Sequence, residues 1–261
     1  MAGSAFIPSI TRSAWKVWRR NWDVFFKTYQ VNFLPPFIEP ILYLLAIGFG
    51  LGMFVGEIDG VPYVEYIAPA LIAISIMNSA FFECTYSSYV RMYYQKTFDA
   101  MIATPLALDE VIAGELLWGA TRSFIYSSVM LAVLIAFGVV DLPLSLLILP
   151  FSFFAGLLFS GIAMCFTALT PGIDALNYPT FLFITPMFLF SGTFFPLEVL
   201  PGALQLIARV FLPLTQVVTV TRSLTLSDFS PYFIYSIVWI AGVTVLFFFL
   251  SIYLMKRRLI I

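Results

Sequence analysis

The sequence predicts an all-α membrane protein with six transmembrane helices, and its composition is the first reason. Of its 261 residues, 61% are hydrophobic and 10% are charged, and the mean hydropathy is +1.00. Soluble domains carry about 25% charged residues. A soluble core has no room for this much apolar surface, so the chain is expected to face lipid. The net charge of −1 gives no indication of nucleic-acid binding.

Six stretches are long and apolar enough to cross a bilayer, which takes about 20 residues. They follow an N-terminal segment, residues 1–33, and form one transmembrane domain, residues 34–261. The predicted spans are Leu34–Gly56, Val64–Ser88, Val111–Phe137, Pro143–Leu169, Ala175–Phe195 and Pro231–Met255.

Lysine and arginine are distributed unevenly between these spans, and cytoplasmic loops carry an excess of both. The connections after the first and third spans have neither. Both termini and the loop after the second span are therefore predicted to be cytoplasmic. The residues behind this prediction are Arg12, Lys16, Arg19, Arg20, Lys27, Arg91, Lys96, Lys256, Arg257 and Arg258.

The N-terminal segment has the pattern of an amphipathic helix. Trp15, Trp18 and Trp22 recur at spacings of three and four, and Arg19 and Arg20 interleave with them. Such a helix suits the cytoplasmic membrane interface. Two roles stay open: an anchor for the first span, and a lever that contacts a cytoplasmic partner.

The loop of about residues 89–110 holds a second short amphipathic helix, which Thr104-Pro105 is expected to end. One face carries apolar side chains and one edge is polar. An aromatic residue at the tip suits insertion into a groove of a partner protein; lying on lipid is the alternative. The residues of this candidate docking surface are Arg91, Gln95, Phe98, Asp99, Met101, Ile102 and Thr104.

The segment of about residues 195–222 is apolar but too short to cross the membrane. Its prolines predict short helices that re-enter the outer leaflet and line a cavity. An exit gate is the functional interpretation, and a loose external loop is the alternative. The candidate gate residues are Phe195, Pro196, Pro201, Pro213 and Gln216.

Charged residues within spans are costly in lipid and therefore candidates for function. Glu39, Glu83 and Arg122 are such residues, all toward the cytoplasmic side. They are expected either to pair across helices or to act on a substrate or gate. Glu115 is a further candidate for the same cluster.

Several chemistries are missing from the sequence. It has no histidine, so histidine proton relays, metal sites and Ser-His catalysis are excluded. Cys84 and Cys165 lie in apolar runs and are expected to be free, buried thiols. No lysine follows a glycine, so there is no phosphate-binding G-x-x-x-x-G-K-[ST] loop. If ATP drives transport, another chain must hydrolyse it.

A series of short motifs runs along nearly the whole chain in a specific order and spacing. These are Trp18-Arg19-Arg20-Asn21, Glu39-Pro40, Leu45–Gly52, Asp59-Gly60, Phe82-Glu83, Arg91-Met92, Thr97–Ala100, Gly114–Trp118, Thr185–Gly192, Phe195-Pro196, Leu212-Pro213-Leu214 and Arg257–Leu259. With them the chain resembles the type-2 exporter permeases of ATP-binding-cassette (ABC) transporters. Within that family it is most similar to permeases of nodulation lipo-oligosaccharide exporters.

The resemblance implies a permease dimer in the bacterial inner membrane, bound to two cytoplasmic ABC ATPase subunits that hold ATP and Mg²⁺. It also implies a coupling helix around Phe98 and export of an amphiphile such as a glycolipid or oligosaccharide. Two positions depart from the family pattern. Phe98 stands where tryptophan is common, and Gln216 stands where histidine often follows the Pro-Leu-x motif.

The residues suggest two other function classes as alternatives. An ion-gradient-driven carrier would use Glu39 and Glu83 as proton carriers and need no ATPase. An intramembrane serine protease would use Ser160-Gly161 or Ser191-Gly192, but it would lack a histidine base.

Overall fold

The computed structural model describes residues 11–28, 38, 41–58, 60–140, 142–227 and 229–259. These residues form an almost wholly helical bundle. Apart from one antiparallel pair of two-residue strands, the regular elements in these ranges are helices, so the all-α prediction is confirmed. In chain order they are α1 Ala14–Lys27, α2 Ile41–Val55, β1 Glu57–Ile58, β2 Val61–Pro62, α3 Tyr63–Tyr94, α4 Thr97–Ile102, α5 Leu108–Ala136, α6 Leu144–Leu169, α7 174–190, α8 Gly202–Phe211, α9 Pro213–Thr225 and α10 Phe233–Leu259.

Several of these helices change their winding along their length. The helix α3 is α-helical over Tyr63–Phe82 and then has two π-helical segments, Glu83–Ser87 and Val90–Tyr94. Most of α2 is also π-helical, over Leu44–Leu51. The helix α6 begins with a 3-10 turn at Leu144–Leu147.

Four helices, α3, α5, α6 and α10, are each long and apolar enough to cross a bilayer. They correspond to the predicted second, third, fourth and sixth spans. The predicted first span is described only in part, since α2 begins at Ile41. The predicted fifth span is α7, in which short segments follow one another: Asp174–Leu176, Asn177–Pro179, Thr180–Ile184 and Thr185–Phe190.

The predicted outer segment is also divided as its prolines suggested. A 3-10 turn, Leu197–Val199, follows Pro196, α8 follows Pro201, and α9 starts at Pro213. The axes of α8 and α9 differ by 86°. Proline fixes its own φ and lacks an N–H donor, so it favours the first turn of a new helix over the interior of an old one.

Small residues bring the central helices α3, α5 and α6 together. A Cβ on Gly119 of α5 would lie 2.4 Å from Ser160 Oγ and 2.6 Å from Cys84 Sγ. A Cβ on Gly156 of α6 would lie 2.5 Å from the Cβ of Ser123. Close backbone approach at small residues is typical of helix packing in lipid, because dispersion contacts replace the hydrophobic effect there. Cys84 and Cys165 are both free and buried, as predicted.

Candidate functional site

The candidate site is a cluster of four charged side chains, the charge cluster, formed by Glu83 and Arg91 of α3 and Glu115 and Arg122 of α5. Glu83 lies 2.7 Å from Arg91 and 2.7 Å from Arg122, measured between oxygen and nitrogen atoms. Arg91 Nη2 lies 2.6 Å from Glu115 Oε2, and Arg91 Nε donates to the same oxygen at 2.9 Å. Glu83 bridges the two arginines, and Arg91 bridges the two carboxylates.

The charge cluster is buried, and its formal charges cancel. The side chains of Glu83 and Glu115 are 2% and 0% exposed, and those of Arg91 and Arg122 are 13% and 18% exposed. Burying one unpaired charge costs several kcal/mol, so two cations and two anions are stable there only as a set. A rearrangement of α3 against α5 must therefore exchange these partners rather than simply separate them.

Neutral side chains complete the coordination of both carboxylates. Trp118 Nε1 donates to Glu83 Oε1 at 2.9 Å, and Ser88 Oγ donates to Glu115 Oε2 at 2.9 Å. Asn21 Nδ2 of α1 donates to Glu115 Oε1 at 2.8 Å. Through Asn21 the cluster joins α1 to α3 and α5. Charge and hydropathy in the sequence do not indicate Asn21, Ser88 and Trp118 as ligands of these carboxylates, although Asn21 and Trp118 belong to the motifs Trp18-Arg19-Arg20-Asn21 and Gly114–Trp118.

The helix α1 lies along α5 through small and apolar side chains. Its buried residues are Ala14, Val17, Asn21 and Phe25. A Cβ on Gly114 of α5 would lie 2.6 Å from the Cβ of Val17 and 2.7 Å from the carbonyl oxygen of Ala14. The tryptophans lie beside this close contact rather than within it, since the tryptophans are not among the buried residues of α1.

The tryptophans form a ladder beside this contact. The ring centroids of Trp15 and Trp18 are 4.0 Å apart, and those of Trp18 and Trp22 are 5.3 Å apart. Trp18 Nε1 donates to Thr121 Oγ1 at 2.8 Å, which ties the ladder to α5. Trp15 is 58% exposed, so the ladder also presents an aromatic surface.

Of the two predicted arginines of α1, Arg19 is exposed and Arg20 is partly buried. Arg20 Nη1 donates to Asn21 Oδ1 at 2.9 Å, so it holds the amide that donates to Glu115. Partial burial lowers the pKa of the Arg20 guanidinium, and the nearby carboxylate of Glu115 opposes that shift. Arg20 is thus a link between the surface of α1 and the charge cluster.

Two cavities meet at the charge cluster. One, of about 370 Å³, lies between α1 and the helices α3 and α5; the other, of about 220 Å³, is lined by polar residues of α3 together with Tyr126. Glu83, Ser87 and Arg122 line both. Arg122 also stacks its guanidinium on Phe25 of α1, 5.5 Å from the ring centroid. The Glu83–Arg122 pair therefore stands at the boundary between the two spaces.

The short helix α4, the predicted docking surface, is formed, and it ends at Ile102 before Thr104-Pro105, as predicted. The expected outward position of Phe98 is wrong: its side chain is 0% exposed and belongs to the hydrophobic core. Lys96 has φ 53°, so the chain turns sharply before α4, and within α4 Phe98 points inward. Met101 is half-buried, and Ile102 is 41% exposed.

Arg91 was also predicted to lie on the docking surface, and this prediction is wrong. It belongs to the buried charge cluster, because its guanidinium finds two carboxylates among the helices. Of the residues predicted for the docking surface, Gln95, Asp99, Ile102 and Thr104 are exposed. The roles assigned to all of these residues stay predictions.

The end of α10 contacts both ends of the segment between α3 and α5, residues 95–107, which we call the α4 loop. Lys256 Nζ lies 2.7 Å from Asp109 Oδ2, just after the loop. Arg258 Nε donates to the hydroxyl of Tyr93 at 2.8 Å, just before the loop. Arg258 also donates to the carbonyl oxygen of Thr167 in α6. Movement of α4 is thus connected to the last helix as well as to the charge cluster.

The predicted gate residues lie at the opposite end of α3. Phe195 and Pro196 are partly buried, Pro201 is exposed, and Pro213 and Gln216 are buried. Gln216 accepts a hydrogen bond from Ser236 of α10 at 2.7 Å and donates to the carbonyl oxygen of Arg209. It joins α8, α9 and α10, a hydrogen-bonding role that needs no titratable group. Glu39, the remaining charged candidate, lies outside the described residues.

The apolar helices and the neutral charge cluster within them define a multi-pass helical membrane protein. Comparison with known families makes this specific. The chain belongs to the ABC-2 type transporter family, whose model matches residues 12–226.

Individual relatives cover most of the chain. It is 35% identical over 244 residues to Nodulation protein J of Sinorhizobium fredii, covering 94% of this chain and 93% of the relative. It is 33% identical over 257 residues to Nodulation protein J of Rhizobium meliloti, covering 97% and 98%. It is 27% identical over 197 residues to the Inner membrane transport permease YadH of Escherichia coli, covering 71% and 72%. The family recognised in the sequence motifs is thereby confirmed.

Proposed function

We propose that this chain is the membrane-spanning subunit of an ATP-driven exporter that moves an amphiphile outward across the bacterial inner membrane. Family membership and the names of the relatives, a transport permease among them, support this assignment. The cargo belongs to the glycolipid or oligosaccharide class. ATP and Mg²⁺ are held by separate cytoplasmic ABC ATPase subunits, and the permease works as a pair of identical chains in contact with membrane lipid.

The observation that carries the mechanism is the charge cluster. It joins α1, α3 and α5, and the π-helical end of α3 leads directly into α4. A push on α4 therefore reaches Arg91 through about one turn of helix. Because the buried charges must stay paired, the push favours a small number of discrete packings over a continuous deformation. Transport by alternation between two such packings needs only that each binds cargo differently.

The outward exit lies at α8 and α9 in this proposal. Their 86° bend and their prolines are compatible with a re-entrant pair that dips into the outer leaflet and returns. The charge cluster and the α4 loop are then cytoplasmic, as are both termini. The chain crosses the bilayer six times, with α2 and α7 as the first and fifth spans.

The geometry does not favour the ion-gradient carrier. A proton carrier must release and rebind a proton during each cycle, whereas Glu83 is held by two guanidinium groups and an indole N–H. Hydrogen bonds from charged donors stabilise the ionised carboxylate. Glu83 is better suited to holding helices together.

The test of the proposal is the identity of the motor. The tagged chain is purified from its host membranes, and co-purifying subunits are identified by mass spectrometry. We expect an ABC ATPase carrying a phosphate-binding loop, in about equal amount. Vesicles containing the pair should then move a fluorescent glycolipid only when ATP is supplied. Glycolipid movement by the chain alone under an ion gradient would overturn the proposal.

The docking surface is tested by substituting exposed side chains of α4. Phe98 is buried, so Phe98→Asp would chiefly disturb folding. Asp99→Arg and Ile102→Asp should each weaken binding of the ATPase by about thirtyfold, which corresponds to the ~2 kcal/mol of a hot-spot loss. Val199→Asp is the matched control, because Val199 is 74% exposed at the other end of the bundle. If the α4 variants retain the ATPase as the control does, α4 is not the docking element.

A further inference from the structure

The accessible side chains of α3 lie on one stripe of an otherwise buried helix. From Tyr66 to Ser87, every residue of α3 is buried except Ser75, Asn78, Phe82, Tyr86 and Ser87. The first four follow one another at spacings of three or four residues, so they share one face of the helix. We call these five residues the α3 strip. Because α3 is long enough to cross a bilayer, the strip presents polar and aromatic groups at membrane depth.

The α3 strip lines the two cavities that meet at the charge cluster. All of its residues except Tyr86 line the cavity of about 220 Å³, and Tyr86 and Ser87 line the cavity of about 370 Å³. Asn78 lies near the middle of α3, about 22 Å from its first residue and about 24 Å from its last at 1.5 Å per residue. The strip is therefore a continuous wall that leads from the middle of the helix to the charge cluster.

Three polar side chains of the strip have no protein partner. The amide of Asn78 and the hydroxyls of Ser75 and Ser87 form no hydrogen bond to any described residue, and they keep accessible surface in the cavity wall. Lipid tails offer no hydrogen bond, and an unpaired amide or hydroxyl is costly away from water. The smaller cavity is therefore suited to contents that bond these groups, either water or a polar ligand.

The charged side chains of the smaller cavity are already paired. Glu83 and Arg122 line it, and they lie 2.7 Å apart in an ion pair. Among the described lining residues, the accessible groups that stay unpaired are thus the uncharged groups of the strip. Amides and hydroxyls both donate and accept hydrogen bonds, as the hydroxyl groups of a sugar do. This match favours a hydroxyl-rich headgroup over an ionic one.

Two aromatic rings of the strip distinguish a ligand from water as the contents. Phe82 is 39% exposed, and its ring centroid lies 5.9 Å from that of Tyr86, with 32° between the ring planes. The hydroxyl of Tyr86 donates to Asn177 Oδ1 of α7 at 2.8 Å, which fixes its ring. Aromatic rings offer a large apolar surface, and the C–H face of a sugar ring packs well on such a surface. Water gains nothing from it.

From these features we propose that the α3 strip binds the uncharged sugar headgroup of an amphiphile. Asn78, Ser75 and Ser87 bond the sugar hydroxyls, and the rings of Phe82 and Tyr86 contact the C–H face. The inference rests on the proposed function, because it names the surface over which that exporter passes its cargo. Binding to the strip needs neither ATP nor a motor subunit, so it is measured separately from the identity of the motor.

The first experiment asks whether the strip faces an aqueous cavity. The full chain carrying Ser75→Cys is placed in phosphatidylcholine nanodiscs and treated with N-ethylmaleimide, which reacts with the thiolate form of cysteine. Both native cysteines are buried. Ser75→Cys should be labelled, whereas Leu246→Cys should not, because Leu246 is 60% exposed on the apolar surface of α10. Equal protection of the two positions would place the strip against lipid or a second copy and overturn the proposal.

The second experiment asks what enters the cavity. Digalactosyldiacylglycerol, a lipid with an uncharged sugar headgroup, should slow the labelling of Ser75→Cys at least fivefold when added to the nanodiscs. Phosphatidylglycerol, which has an anionic headgroup, should leave the rate nearly unchanged. Equal slowing by both lipids would show that any lipid fills the cavity and would overturn the sugar headgroup. Slowing by free maltotriose would support the sugar and show that the tail is dispensable.

Variants assign the protection to the strip. In the Ser75→Cys background, Asn78→Leu keeps a similar volume but removes the amide. The fraction of glycolipid that gives half protection should then rise about tenfold, as expected for the loss of one or two hydrogen bonds. Phe82→Leu should raise it about fivefold through loss of the aromatic face. Thr219→Val, which removes a hydroxyl from α9, is the control and should not change it.

The labelling rate without glycolipid shows whether each variant keeps its fold, because unfolding would expose the two native cysteines as well. Unchanged protection in both Asn78→Leu and Phe82→Leu would place the sugar elsewhere and end the proposal. Protection that depends on the strip in a chain that binds no ATPase would instead contradict the exporter while leaving the sugar site.

Discussion

Glu83 forms ion pairs with Arg91 and Arg122 and accepts a hydrogen bond from Trp118. The residue as a whole is 3% exposed. No other described carboxylate pairs with two arginines. At the scale of the residue, the function of the site therefore depends on keeping charges balanced where the two carboxylates are almost fully removed from solvent.

The first prediction concerns this balance. Glu83→Gln keeps the size of the side chain but leaves one net positive charge in the cluster, and removing one partner of a buried pair costs about 3–5 kcal/mol. We expect a clearly lower midpoint of thermal unfolding in detergent. Combining it with Arg122→Gln restores neutrality and should recover much of the loss. Additive losses in the double variant would show that the two residues are not coupled.

Most of this cluster can be predicted from the sequence, but the positions of Arg91 in the cluster and of Phe98 in α4 cannot. Glu83, Glu115 and Arg122 stand out because charges in apolar segments are rare. The polar neighbours of Arg91 favour a loop, and the sequence does not reveal that α3 continues to Tyr94 through π-helical turns. Spacing defines which residues share a face with Phe98, whereas only packing decides which way that face points.

At the scale of the element, α1 is held to the bundle by close packing at Gly114 as well as by Asn21. The contact leaves no room for a methyl group, since both Val17 and the backbone of Ala14 lie within 2.7 Å of the Cβ position. Backbone atoms cannot move aside as a flexible side chain does. The position of α1 is thus sensitive to one methyl group on another helix.

Gly114→Ala should therefore displace α1 from α5 and cost about 1–3 kcal/mol, as overpacking does. Limited proteolysis should cut within residues 11–28 faster in the variant than in the wild type. Gly242→Ala is the control, because no heavy atom lies within 4 Å of its Cβ position. Similar cleavage of the two variants would mean that the Gly114 contact does not hold α1.

The connection between α10 and the α4 loop leads to a third prediction. Lys256→Gln removes the cation that pairs with Asp109. Hydrogen bonds to charged groups contribute about 1.5–3 kcal/mol, so amide hydrogen exchange in Thr97–Ile102 should accelerate by about tenfold. Arg257→Gln, one residue away and exposed, should not change it. Unaltered exchange in Lys256→Gln would show that α4 is held by its own packing alone.

At the scale of the whole molecule, the proposed orientation places α4 and the α8–α9 pair on opposite sides of the membrane. Asp99 and Glu198 are exposed at these two ends, and both native cysteines are buried. In intact cells, a membrane-impermeant maleimide should label Glu198→Cys but not Asp99→Cys. Asp99→Cys should react only after the cells are permeabilised. The reverse pattern would invert the orientation.

The sequence predicted the general architecture well, since long apolar helices leave a strong compositional signal. It was less informative for the irregular parts. In α7, Pro179 and Pro186 predict interruptions of the helix. Nothing in the sequence specifies the π-helical segment Thr180–Ile184 between them. The prolines at 196, 201 and 213 give the starts of the later elements, whereas the 86° angle depends on packing against α10 and α3.

The π-helical turns of α3 also determine how the protein responds to a change in chain length. In an α-helix each residue advances the direction of its side chain by about 100°, whereas a π turn takes up one additional residue. Deleting one residue within Glu83–Ser87 should therefore let the helix revert to regular winding, with little rotation of Arg91 and α4 relative to Glu115. The same deletion in the regular part of the helix, Tyr63–Phe82, should instead rotate the two parts of α3 relative to each other by about 100°. The π-helical stretch thus absorbs a change in length that a regular helix would pass on as rotation.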